Sequence, residues 1–230
     1  MRLYVIKISH FCERARWGLD HRGFTYEEHA WMPALHVPLA RRLAKNTCVP
    51  ILVTDSGVVQ GSDAILTWAG LDGGDAALEH RFEAVIGPLV REYWYSGTLH
   101  DPNSGVCDVL RQGVSPVQAA LGRVGWPVIR RAMAAHMAIQ PSRLPELERR
   151  IDDELDWADT LVANGGLLAC SDLGRNAITA ASLLAPLARP DARPVYRQIR
   201  LPPDVERAFE RWSARPVLRW VLDTYARHRH

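Results

Sequence analysis

A strand running directly into a helix within residues 3–17 limits the fold of this 230-residue chain more than any other stretch. Leu3-Tyr4-Val5-Ile6-Lys7-Ile8 is β-branched and apolar, which predicts a buried strand. From Cys12 onward the residues favour helix, and Cys12, Ala15, Trp17 and Leu19 can supply its apolar face. Ser9 therefore stands where strand gives way to helix. The first amides of such a helix have no intrahelical partner, and its dipole favours negative charge there. An anion, a thiolate included, could be held at this point.

The residues that follow predict a small α/β domain. The first helix should run from Ser9 to about His21, with Gly23 as a left-handed cap. Phe24 to His29 alternates apolar and polar as a half-exposed strand would. A short basic helix from Leu39 to Lys45 comes after Pro33 and Pro38. Ile51–Thr54 and Val58–Gln60 then form a hairpin around Asp55-Ser56-Gly57, and a third helix begins near Ser62 and ends near Leu71. The order β-α-β-α-β-β-α suits a thioredoxin-like fold, placed here at residues 1–72. Leu71-Asp72-Gly73-Gly74-Asp75 reads as a linker. Beyond it, residues 78–230 form an all-helical second domain, whose amphipathic stretches are 75–98, 115–139, 143–164, 176–188 and 204–227. Pro127 should kink the second stretch, Gly165-Gly166 end the third, and Pro216 divide the last.

Composition narrows the classes of function. Hydrophobic content of 47% and charged content of 23% are ordinary for a globular protein. A net charge of +2 gives no reason to expect nucleic acid or an anionic membrane as partner, and no apolar run approaches a membrane span. Cys12, Cys48, Cys107 and Cys170 are scattered without metal-ligand spacing, so no metal is expected, and free thiols in a reducing cytoplasm are.

Ser9-His10-Phe11-Cys12 resembles the Cys-x-x-Cys of thioredoxin and glutaredoxin folds with serine in the first position. With Arg16 and Leu19 it resembles the amino-terminal motif of the cytosolic glutathione S-transferase superfamily, serine type. Val49-Pro50 before Ile51-Leu52-Val53 is similar to the family's cis-proline segment, and Gln60-Gly61-Ser62-Asp63-Ala64-Ile65 to its acidic-or-Gln, Ser, x, Ala, Ile motif. The resemblance implies an α/β thioredoxin-like N-terminal domain plus an all-α C-terminal domain. It also implies glutathione as co-substrate, a small hydrophobic electrophile as acceptor, and a homodimer. Residue by residue, Ser9 would donate its hydroxyl hydrogen to the glutathione sulfur. Val49, before Pro50, would pair its main chain with the tripeptide's cysteine. Ser62 would bind the γ-glutamyl carboxylate, Asp63 the γ-glutamyl ammonium, and Lys45 the glycyl carboxylate. His10, Phe11, Tyr93, Trp94 and Trp126 would shape the acceptor pocket.

Plainer readings stand beside these. Ser9 and Ser62 are also ordinary helix caps. Cys12 is either a buried small hydrophobe or the residue that forms a mixed disulfide, which would make the protein a cysteine-dependent thiol transferase or reductase. The aromatic residues Tyr93, Trp94, Tyr95 and Trp126 are equally core candidates. Arg14 reads as an exposed helix charge, and Arg16 as structural. Gly61 departs from the family's usual Glu, Asp or Gln, and Gly174 and Ala177 replace a reciprocal helix cap, leaving Asn176 or Asp172 to serve. Both departures suit a third possibility, a non-catalytic binding or scaffold protein of the same fold. The homodimer is expected through the third helix and the first helix of the second domain, where Phe82, Val85, Ile86 and Leu89 offer apolar surface. The acceptor substrate has no signature in the sequence.

Overall fold

The computed structural model describes residues 1–163 and 173–229. Gly165-Gly166, Cys170, Asp172 and His230 therefore lie outside the described residues. The described chain forms two compact units, residues 1–72 with 105–137, and residues 73–104 with 138–230.

In the first unit, β1 (Arg2–Val5), α1 (His10–His21), β2 (Glu27–Ala30), α2 (Val37–Leu43), β3 (Ile51–Thr54), β4 (Gly57–Gln60) and α3 (Ser62–Trp68) follow in the expected order. The four strands form one sheet in the order β2-β1-β3-β4, parallel between β1 and β2 and antiparallel elsewhere. Side chains alternate across it. Leu3, Val5 and Leu52 join Cys12, Ala15 and Leu19 of α1 and Ile65 of α3 in one core cluster. On the opposite face Tyr4 and Val53 pack with Ile51, Trp31 and Ala40, and the Tyr4 ring stacks 4.5 Å from Trp31. The α1 helix ends as expected: Gly23 takes φ +71°, and Phe24 N–H donates to Leu19 O at 3.0 Å.

Residues 105–137 pack with this unit through α6 (Val106–Leu110), α7 (Pro116–Val124) and α8 (Trp126–His136). Val114 lies on the main core cluster, Gln118 Oε1 accepts Met32 N–H at 2.9 Å, and Gly122 is buried against the Met32 side chain. The expected kink at Pro127 is instead a break. Gly125 closes α7 by donating its N–H to Leu121 O at 2.8 Å, and α8 restarts with Pro127 at its second position, where no helical amide is needed.

The second unit is helical: α4 (Ala76–Arg81), α5 (Gly87–Thr98), α9 (Leu144–Ala163), α10 (Arg175–Ala188), α11 (Pro203–Ser213) and α12 (Pro216–His228). The helix expected over 75–98, with a bend at Gly87-Pro88, is interrupted just before those residues by a π-helical turn, Phe82–Ile86. Pro88 has no N–H to donate and its ring crowds the carbonyl four residues back, so the chain widens there. Phe82, Ile86 and Leu89 are buried inside this unit, which removes most of the surplus apolar surface expected to serve a dimer. The absent cap of α10 is also evident. Gly174 makes no side-chain bond to the helix, and Asn176 Oδ1 accepts Asp75 N–H at 2.9 Å instead. A carboxylate occupies that end of the helix: Glu79 takes hydrogen bonds from Arg175 Nε at 2.7 Å and Thr179 Oγ1 at 3.1 Å, where negative charge is favoured.

Candidate functional site

The strand register gathers the site residues. Tyr4 of β1 faces Ile51 of β3, which faces Gln60 of β4. The segment after β1, the segment before β3 and the segment after β4 therefore share one end of the sheet. These carry Ser9, Val49-Pro50 and Ser62-Asp63, and both α1 and α3 begin there.

Ser9 is the N-cap of α1, with φ −66° and ψ 122°, and its Oγ accepts Cys12 N–H at 3.3 Å. Its oxygen thus serves the helix through a lone pair, while the hydroxyl hydrogen can be aimed at the Cys12 sulfur or outward. Cys12 is fully buried among Leu3, Ala15 and Ile65. Burial pushes its thiol above the ordinary range, against the weaker opposing pull of the Arg16 charge and the Ser9 hydrogen bond. His10 is buried beside Phe11, ring centroids 4.7 Å apart, and Phe11 is half-buried.

Val49-Pro50 is cis, as the resemblance implied. Among the described residues the main-chain N–H and C=O of Val49 have no hydrogen-bond partner. Gln60 fixes the loop before it: Nε2 donates to Cys48 O at 2.8 Å and Asn46 O at 2.9 Å, and Oε1 accepts Asn46 N–H at 3.3 Å. Lys45 is exposed in the same loop. Gly61 bonds its N–H to Pro50 O at 3.0 Å and stands at φ +97°, a conformation that glycine adopts without strain. Ser62 is buried at the first position of α3 rather than at its cap, which is Gly61.

Arg14 departs most from expectation, whereas Arg16 is structural as expected. Neither is exposed. Arg14 is wholly buried and reaches half-exposed Asp63, Nη2 to Oδ1 at 3.4 Å. Arg16 is buried between Glu28, bonded through Nε and through Nη2 at 3.3 Å, and the fully buried Glu13 at 3.4 Å. Spacing could suggest only Glu13–Arg16, at i, i+3; Arg14 meets a carboxylate 49 positions away, and Glu28 lies on β2. The one available signal was Glu13-Arg14-Ala15-Arg16, three charges within a helix flanked by apolar residues.

The remaining acceptor candidates separate. Tyr93 and Trp94 are core residues of the helical unit. Tyr93 packs on Phe209 and Trp212 and directs its hydroxyl at Glu148, 3.4 Å away; burial first, then that carboxylate, pushes its phenol well up. Trp94 meets Tyr95 edge-on at 5.5 Å. Trp126 is half-buried at the start of α8.

A mixed four-stranded sheet with a cis proline at the edge where two helices begin defines a thioredoxin-like domain. Residues 3–72 match the family model described as glutathione S-transferase, N-terminal domain. The chain as a whole has the fold of glutathione S-transferases, a thioredoxin-like part with a helical part. A glutathione transferase of Phanerochaete chrysosporium is similar with 14% identity and TM-score 0.65, covering 100% of this chain and 97% of that one. A Ceriporiopsis subvermispora glutathione S-transferase in complex with glutathione gives 12% identity and TM-score 0.63, covering 100% and 97%. Glutaredoxin 2 of Salmonella typhimurium in complex with glutathione gives 16% identity and TM-score 0.54, covering 98% of each chain. At these identities the likeness is one of fold. No curated protein sequence matches the chain.

Proposed function

We propose that this protein binds glutathione at the edge of its thioredoxin-like sheet and conjugates the thiolate to a small apolar electrophile in a reducing cytoplasm. The observation that carries the reading is the contrast between Ser9 and Cys12. Ser9 is partly accessible at the N-terminus of a 12-residue helix, whereas Cys12 is sealed in the core with its thiol pushed up. Free glutathione is only a few per cent thiolate at neutral pH. Lowering its pKa by about two units needs about 2.7 kcal/mol of preferential anion stabilisation, which one hydroxyl bond and a helix N-terminus can supply together. The unpartnered main chain of Val49 supports its pairing with the tripeptide as an added strand would pair. Asp63, held by Arg14, suits the γ-glutamyl ammonium, and Ser62 the γ-glutamyl carboxylate. Lys45 is the cation proposed for the glycyl carboxylate. Of the acceptor candidates, Phe11 and Trp126 retain exposed area, so they replace Tyr93 and Trp94 in the proposal.

Comparison of Ser9→Ala with Cys12→Ala tests this. Ser9→Ala should lower conjugation of a generic electrophile by about tenfold to a hundredfold, the loss of one hydrogen bond to a charged atom. Cys12→Ala should leave the rate nearly unchanged. The opposite order of sensitivity would identify a cysteine-dependent thiol transferase, and failure of the intact chain to bind millimolar glutathione would point to a scaffold protein. A homodimer remains part of the proposal, but Ile86 is too buried to carry it. Sedimentation at micromolar concentration decides between 25.8 kDa and twice that mass.

A further inference from the structure

The described residues expose six large apolar side chains, and four of them, Val117, Leu121, Val124 and Val128, fall within twelve positions at 68%, 54%, 85% and 69% exposure. Val117, Leu121 and Val124 are spaced i, i+4, i+7 and so share one face of α7, and Val128 is exposed in the first turn of α8, just past the Gly125 corner. The amphipathicity of α7 is inverted. Gln118 and Gly122 meet Met32 on the inside, while the aliphatic face points to solvent. A face of this kind marks an interaction surface.

Charge and chemistry select what covers it. From residue 109 to residue 145 there is no Asp or Glu. Arg123, Arg130 and Arg131 have no ion-pair partner among the described residues. Every exposed side chain from 116 to 135 is alanine, valine, leucine, proline or arginine. A protein partner is recognised through aromatic anchors and about one hydrogen bond per 100–200 Å². Between the exposed Ser115 cap and exposed His136 at its two ends, this stretch offers no aromatic at an exposed position and no exposed acceptor, hydroxyl or amide. A second copy laid on it would also bring arginines against arginines. An anionic bilayer needs only what is present: aliphatic side chains to enter the headgroup boundary and arginines to meet phosphates. No described helix is long and apolar enough to cross a membrane, so the contact is peripheral.

We propose that the α7–α8 face docks the protein on a bilayer containing anionic phospholipid. Co-sedimentation of the full chain with vesicles of phosphatidylcholine plus phosphatidylglycerol, against phosphatidylcholine alone, tests it. Binding should require the anionic lipid and weaken with salt. Val124→Asp or Leu121→Asp should lower partition by about tenfold or more, and Arg123→Gln with Arg131→Gln by about tenfold. Melting curves should be unchanged in all three variants, since the side chains are exposed. Absence of binding to anionic vesicles, or binding indifferent to these substitutions, overturns the proposal. So does a mass of twice 25.8 kDa in lipid-free solution that Leu121→Asp returns to the single value, because a second copy then owns the face.

Discussion

At the scale of single residues, burial decides which thiol reacts. Cys12 is sealed and raised, whereas Cys48 is exposed and Cys107 intermediate. Iodoacetamide at neutral pH should therefore label Cys48 rapidly and spare Cys12 until the protein unfolds, as peptide mass mapping will show. Because the folded state holds the Cys12 proton longer than the unfolded state, the unfolded chain binds fewer protons above the ordinary thiol value of about 8.5. The stability from the neutral thiol is complete below that pH and is lost as pH rises beyond it. Gly61 gives a second case. A Cβ there would meet nothing within 4 Å, so Gly61→Ala should cost about 1–3 kcal/mol in urea unfolding through its φ of +97° and ψ of 145° alone. The Arg16 network gives a third. Arg16→Met removes a cation from buried Glu13, and the expected destabilisation is about 3 kcal/mol. Adding Glu13→Gln should recover part of it.

Among elements, α1 and α3 approach closely at Gly18. A Cβ at Gly18 would lie 2.8 Å from Leu66 Cδ1 and 3.2 Å from Leu71 Cδ1, and both leucines are buried. Gly18→Val should thus lower stability by roughly 2 kcal/mol despite removing a helical glycine, measurable as a lower melting temperature. Element order in the first 72 residues was legible because strand alternation, Gly23 and the hairpin turn are local signals. Of the candidate site, the Ser9 cap, the cis Val49-Pro50 bond and the helix start at Ser62 were legible in short motifs. Arg14 and Gln60 were not, since their roles are set by partners that only the folded sheet brings near. The π-helical turn at Phe82–Ile86 and the break at Gly125 were misread as helix because apolar periodicity continues through both. Proline marks each place, but periodicity cannot say whether proline bends a helix, widens it or restarts it.

For the whole molecule, the contact pattern divides the chain differently from the linker signal. A boundary does fall at 72/73, yet residues 105–137 return to the first unit. A fragment ending at Asp72 would lack Gln118 and Gly122 and leave Met32, fully buried in the intact chain, without its cover. Such a fragment should show no cooperative thermal transition by circular dichroism and be cut rapidly by protease, whereas the intact chain resists. Synthesis on a ribosome meets the same gap. Residue 137 follows residue 72 by 65 positions. At about 5–20 residues per second that is a wait of roughly 3–13 s. During that interval the nascent sheet carries an unsealed apolar edge, making Met32 and its surroundings the first place for a chaperone to hold or for aggregation to begin.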